Sequence, residues 1–290
     1  MNRSILSLLL AIALPASAIV IRHDVDDSKY RVAATEFPAL VDLPGEGHGV
    51  LIAPQWVITA AHAVTWQSEI KQVVLDGKAR NVEKVVVHSG YKKLPQSLID
   101  EAIKTKDATR IVDFLGAQDD IALVKLATPV SDVAPATLFT GSSELGQTVE
   151  LIGKGATGTG MAGQDAGGSH RGDLRRAYNK IVDVNDRWIC YVFDKPPAGL
   201  ELEGISGDGD SGGPVLIKSD GKWRLAGLAS WKKHEHDNAL VLNPGFYGQK
   251  NYNVRVSHYA NWIEDQIRTN TTSVPRGASP RSTKGDHASR

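Results

Sequence analysis

The chain is written in short apolar runs. HGVLIA (48–53), WVITAA (56–61), VEKVVV (82–87), IALVKL (121–126), TVELIG (148–153), KIVDV (180–184), PVLI (214–217) and WRLAGLASW (223–231) are separated by clusters of Gly, Pro, Asn and Asp. Runs of this length suit strands, and the punctuation supplies turns. The pattern therefore predicts an all-β barrel or sandwich, with no fixed-period repeat. Two stretches depart from it. Residues 96–116 place Leu98, Ile99, Ala102, Ile103, Ile111, Val112 and Leu115 near one face of a helix, with Gly116 as a stop. Residues 257–268 place Tyr259, Trp262, Ile263 and Ile267 on one side of another, with Ser257 as its cap.

Composition narrows the class of protein. Over 290 residues, 41% are hydrophobic and 23% charged, which excludes disorder along the whole chain. Thirty-three basic side chains balance 33 acidic ones, which excludes a generally basic nucleic-acid binder. The single cysteine, Cys190, excludes any intrachain disulfide and any cysteine cage for zinc. It lies in the apolar run WICYVF and reads as a small buried hydrophobe.

The first 18 residues, MNRSILSLLLAIALPASA, read as an address. Arg3 gives the positive end, Ile5 to Leu14 an apolar run too short to span a bilayer, and Ala16-Ser17-Ala18 a small-x-small cleavage site. The expectation is a secretory signal peptide over 1–18, a mature chain from Ile19, and a protein that ends outside the cytoplasm, extracellular or periplasmic. No later stretch approaches 18 apolar residues, so no membrane association is expected after cleavage. At the other end, residues 269–290 are polar with no apolar period and read as a disordered tail.

Three separated motifs carry the chemistry. They are Thr59-Ala60-Ala61-His62, closing an apolar run; Asp119-Asp120-Ile121-Ala122-Leu123; and Gly207-Asp208-Gly209-Asp210-Ser211-Gly212-Gly213-Pro214. A serine hydroxyl is a weak nucleophile at neutral pH and needs an adjacent base. Glycines beside it let the backbone bend and approach a ligand closely. On the residues alone, either Asp119 or Asp120 is available to orient the histidine.

The order His, Asp, Ser in TAAH, DIAL and GDSGGP resembles the trypsin/chymotrypsin family of serine proteases, peptidase family S1. Ala229-Ser230-Trp231, following the serine, is similar to that family's substrate strand. The resemblance covers roughly residues 19–266. It implies two packed antiparallel six-stranded β-barrels with a C-terminal helix: an N-terminal barrel over about 30–133, a C-terminal barrel over about 134–256, and the helix over 257–268. It implies a secreted serine endopeptidase of a bacterial type without disulfides, acting on proteins or peptides as a monomer without a cofactor.

The resemblance also implies roles. Ser211 is the nucleophile, His62 the general base, and Asp120, directly before Ile-Ala-Leu, the residue that orients the imidazole. The backbone N–H groups of Gly209 and Ser211 form the oxyanion hole, and Ser230 supports Asp120. Ile205 floors the pocket for the residue before the scissile bond, with Ser206 after it, and Trp231 forms one wall; Lys232 stands where the family usually has Gly, and its long side chain either crowds the pocket or presents a charge to it. With Ile205 in place of an aspartate, the expectation is an uncharged, small-to-medium residue there. Family members become active when a new N-terminal Ile-Val amine reaches the Asp before the nucleophile. The equivalents here are Ile19 and Asp210. Ile21-Arg22 depart from the usual two glycines, and Ala63 and the lone Cys190 depart from the usual cystines.

Other features read as bland. The Gly-rich stretch 153–168 lacks a following GK[ST] and reads as a mobile surface loop and a self-cleavage site rather than a phosphate loop. His234-Glu235-His236-Asp237 reads as a loop without a metal. Two rival readings keep the same scaffold: a binding protein whose catalysis is lost, and an esterase or processing enzyme with the same triad.

Overall fold

The structure, a computed structural model, describes residues 19–67, 69–165, 172–234, 236 and 243–271. Its frame is two closed six-stranded barrels. Around the first run Leu40–Asp42, His48–Ala53, Trp56–Thr59, Ala122–Leu126, Lys78–Val87 and Gln72–Leu75. Around the second run Arg175–Val184, Trp188–Val192, Gln249–Arg255, Lys222–His234, Pro214–Ser219 and Thr148–Gly153. Every strand pair within the barrels is antiparallel. Closure gives each strand two neighbours and leaves no exposed edge. This suits the near-continuous apolar runs of the central strands, Trp56–Thr59 and Ala122–Leu126, which are buried along their whole length.

One apolar core runs through both barrels and onto the C-terminal helix, from Ile58 and Leu123 through Trp188 and Leu228 to Tyr259 and Ile263. A second fills the far side of the C-terminal barrel around Val149, Ile189, Tyr191 and Ile205. Cys190 is buried among these strands, and burial pushes its thiol up to about 12, so it packs as an inert apolar group.

Three local readings change. The segment 96–116 is two helices, Gln96–Thr105 and Thr109–Gly116. Lys106 adopts a left-handed φ of 59° that stops the first, and Asp107 Oδ1 accepts the Thr109 N–H at 2.9 Å as the second begins. The C-terminal helix is a 3-10 turn over Val256–Tyr259 followed by Ala260–Thr271. It therefore runs past residue 268 into the expected tail. Residues 272–290, like 1–18, lie outside the described residues.

The Gly-rich stretch is partly ordered into sheet. Gly158–Thr159 pairs with Gly163–Gln164 and, in parallel, with Val20–Ile21, which also pairs with Gly204–Ile205. Glycine is required where these backbones close: a side chain at Gly158 would run into Gly163 and Gln164. Residues 166–168 lie outside the described residues. The mature N-terminus of the sequence reading is thus an inner strand of a four-stranded sheet.

Candidate active site

The three motifs converge between the barrels through strand register. Trp56–Thr59 pairs with Ala122–Leu126 so that Thr59 lies opposite Ala122. His62 follows the first strand on a five-residue helix, Ala61–Thr65, and Asp120 precedes the second. Both side chains therefore emerge at one end of the N-terminal barrel. His62 Nδ1 is 2.7 Å from Asp120 Oδ2, and the His62 backbone N–H donates to Asp120 Oδ1 at 2.8 Å. One carboxylate thus fixes both the imidazole and the helix that carries it.

A third donor reaches Asp120 from the other barrel. The pairing of Lys222–His234 with Gln249–Arg255 slips by one residue between Ala229 and Trp231. Ser230 is the unpaired residue of this bulge, and its hydroxyl donates to Asp120 Oδ2 at 2.5 Å. Burial pushes the Asp120 carboxyl up, but the His62 charge and these hydrogen bonds more than offset it, and its pKa lies below the ordinary value. Burial likewise pushes His62 down, Asp120 pulls it up further, and Lys232 opposes that rise; the net direction is up.

Ser211 sits in the turn before strand Pro214–Ser219 of the C-terminal barrel. The His48 N–H donates to the Ser211 carbonyl at 2.7 Å, and Gly212 N–H donates to Ala229 O at 2.7 Å, so the turn is tied to both barrels. Gly212 has φ +74°, and a Cβ there would run into Thr59 and the His48 carbonyl. Only glycine fits this approach. Ser211, Gly209 and His62 line one cavity of about 340 Å³ with Glu46, Gly47, Ala63 and Trp66. Among the described residues the Ser211 hydroxyl makes no hydrogen bond to the imidazole, and the N–H groups of Gly209 and Ser211 have no acceptor.

The sequence matches the family model described as Trypsin over residues 27–263. It is also similar to Serine protease 1 of Rattus norvegicus, 27% identical over 288 residues, with 91% of this chain and all of the rat protein covered. The chain belongs to the trypsin family. Its coarse activity is that of a serine endopeptidase, a hydrolase whose substrates are proteins or peptides.

Within this trypsin-family frame, Asp119 and Asp120 separate cleanly. Asp119 turns away from His62. Its Oδ1 accepts from Arg187 Nε at 2.8 Å and from the Tyr259 hydroxyl at 2.9 Å, and its Oδ2 lies 3.4 Å from His88 Nδ1. Sequence reasoning missed this brace, because Arg187 and Tyr259 are far from Asp119 along the chain and carry no motif.

The substrate-strand residues gather along the cleft. Trp231 stacks on Tyr252 with ring centroids 3.8 Å apart, and Trp188 meets it edge-on. Trp231 and Trp188, together with Tyr91, Leu94 and Leu115, line a mainly apolar cavity of about 240 Å³ that reaches His62. The second of the two helices, Thr109–Gly116, therefore shapes the cleft through Leu115, and Trp188 Nε1 donates to the Gly116 carbonyl at 2.9 Å. Ile205 is fully buried and pairs with Val20. Ser206 donates to Asn251 Oδ1 at 2.9 Å. Asn251 faces Lys232 across the strand pair, a link to Ser206 that no sequence motif announced.

Ile19 and Asp210 also meet. Ile19 is buried with φ 63°, and its N–H hydrogen-bonds to the Asp210 carboxylate. Gly155 N–H donates to Oδ1 at 2.7 Å and Gly207 N–H to Oδ2 at 2.8 Å. No cation lies within ion-pair distance of this carboxylate among the described residues, and burial pushes its pKa up to about 6. His234 and His236 are described, but Glu235 and Asp237 are not. Among the described residues no group of three or more His, Cys, Asp or Glu is arranged to hold a metal, and no helix is long and apolar enough to cross a membrane.

Proposed function

We propose that this protein is a secreted serine endopeptidase that works through Ser211, His62 and Asp120. The observation that carries this reading is the two-point hold of Asp120 on His62, in a cavity shared with Ser211 and the unengaged N–H groups of Gly209 and Ser211. His62 Nε2 takes the Ser211 proton as Oγ attacks the scissile carbonyl. The developing oxyanion is received by the N–H groups of Gly209 and Ser211, donors that need no reorganisation at that moment. The imidazolium then protonates the leaving amine, leaving an acyl-enzyme on Ser211. Water, deprotonated by His62, hydrolyses that ester and restores the serine. Asp120 keeps the proton of the resting imidazole on Nδ1 and balances the imidazolium. Ser230 holds Asp120 from the opposite barrel.

Activation follows from Ile19. Residues 1–18 are read as a signal peptide whose removal frees the Ile19 amine. An ammonium at the position of the Ile19 N–H would pair with Asp210, whose buried charge otherwise has only amide donors. Signal cleavage alone then produces the working enzyme, without a separate propeptide.

The test is a fluorophosphonate with intact-mass readout on the purified exported protein. A single adduct that Ser211→Ala abolishes, on a chain starting at Ile19, is the expected result. No adduct on an Ile19-start chain would sink the enzyme reading and favour a binding protein on this scaffold. An adduct on a chain that turns over esters and not peptides would mark an esterase.

A further inference from the structure

Lys232 stands one residue beyond Trp231 on the strand that lines the cleft, opposite Asn251, whose side chain accepts from Ser206 on the pocket floor. This side chain is only partly exposed. The charges that act on it are those of Asp208 and Asp210, and it acts in turn on His62. Its ammonium therefore lies close to the point where the side chain before the scissile bond must enter.

Neither neighbouring carboxylate neutralises it. Asp210 receives the backbone N–H groups of Gly155 and Gly207 and, in the reading above, the Ile19 ammonium. Asp208 is exposed and accepts from Gln164 Nε2 at 2.6 Å. The Lys232 ammonium has no hydrogen bond and no ion pair within 4 Å among the described residues. Among the described residues its other neighbours bring no charge: Ile205 is apolar and buried, and Ser206 and Asn251 are neutral. Burial lowers the Lys232 pKa, while Asp208 and Asp210 raise it part of the way back. A recessed cation with no ion-pair partner among the described residues calls for an anion from outside.

We propose that Lys232 makes the protein select an acidic residue, glutamate or aspartate, immediately before the scissile bond. The inference rests on the endopeptidase reading of the same cleft, and it departs from the expectation of an uncharged residue there. The substrate carboxylate would pair with the ammonium of Lys232, and its remaining oxygen would take the Ser206 hydroxyl, which otherwise donates to Asn251. A neutral isostere leaves the ammonium unpaired as water is excluded, which is how sites built around one polar group discriminate.

The experiment uses the Ile19-start protein and peptides that differ only before the scissile bond: Glu, Gln, Leu or Lys, at a pH above the carboxylate range. The expected kcat/KM ratio of Glu to Gln is at least about tenfold in favour of Glu, on the order of the discrimination one desolvated polar contact gives. Lys232→Met should bring that ratio to about one, and Lys232→Glu should invert it while admitting Lys. A wild-type ratio of one or less overturns the proposal without need of any variant. A Lys232→Met enzyme that turns over every peptide faster with the ratio unchanged also overturns it, and identifies Lys232 as a plug. Fluorophosphonate labelling of the wild type separates the two levels. Labelling without a Glu preference defeats this inference alone; absence of labelling defeats the endopeptidase reading beneath it.

Discussion

The Tyr259 hydroxyl donates to Asp119 Oδ1 at 2.9 Å, one residue before the carboxylate that holds His62. Tyr259 ends the 3-10 turn that leads into the C-terminal helix, and Arg187, which shares Asp119 Oδ1, lies in the turn before strand Trp188–Val192. The C-terminal half of the chain thus grips the N-terminal barrel at the residue next to Asp120.

That grip predicts a mostly structural phenotype for Tyr259→Phe. Burial pushes the Asp119 carboxyl up, but Tyr259 and Arg187 together hold it below its ordinary value. Removing one hydrogen bond to a carboxylate costs about 1.5–3 kcal/mol. A urea melt should show a lower midpoint with an unchanged slope. The fluorophosphonate rate should fall only a few-fold, because Arg187 still holds Asp119.

The acid limb of activity should report His62. Catalysis needs the neutral imidazole, so the rate on an uncharged substrate falls as pH drops through the His62 pKa. Burial lowers that pKa, but Asp120 raises it further, so the limb should lie above the ordinary histidine value. Asp120→Asn removes the main raising causes and should move the limb to lower pH. It should also cut kcat by about 10⁴, the loss known from this family's own template triad. Lys232→Met removes an opposing charge and should move the limb the other way, to higher pH. A pH–rate profile of all three proteins checks the signs.

Asp210 predicts a difference between unprocessed and processed chains. With only amide donors its pKa is about 6, against 3.8 when unperturbed. The folded form then holds its proton more tightly than the unfolded form, so stability falls as pH rises from about 4 to 6 and the cost persists above. Two pH units correspond to about 3 kcal/mol at most. A chain with one Gly before Ile19 should show this slope in melts across that range, and Asp210→Asn should remove it. A chain starting at Ile19 should lack the slope, because its ammonium stabilises the carboxylate.

Strand runs were legible because each is a local alternation or a short apolar block, and most lie within a residue or two of the observed strands. The convergence of His62, Asp120 and Ser211 was legible only through resemblance, since nothing local says that Thr59 pairs with Ala122. Sequence also left the Ser230 bulge unmarked: a one-residue slip between strands is a property of the pair. Lys106 hid the break between the inserted helices, because a lysine in the left-handed region carries no signature such as glycine gives. The Gly-rich stretch misled for the opposite reason. Its glycines serve close strand pairing at Gly158 as much as loop freedom. Tyr259, Arg187 and Asn251 act across the fold, and single residues at that separation leave no pattern to read.

Two glycines with the same backbone angle give a matched test of the turn at Ser211. Gly212 and Gly77 have φ +74° and +70°. A Cβ at Gly77 meets nothing within 4 Å, so Gly77→Ala carries only the left-handed strain, about 1 kcal/mol. At Gly212 the same atom would run into Thr59 and the His48 carbonyl, and it would lie 2.9 Å from the Ala60 backbone N. Backbone on that side belongs to the other barrel and leads directly into His62. Relief therefore means moving Ser211 away from the imidazole, and a 1 Å misplacement of reacting groups costs about 10²-fold. Gly212→Ala should lose fluorophosphonate reactivity by that factor or more and melt several degrees lower, whereas Gly77→Ala should keep wild-type reactivity. Equal reactivity in the two variants would mean that the barrels are not in contact at this turn.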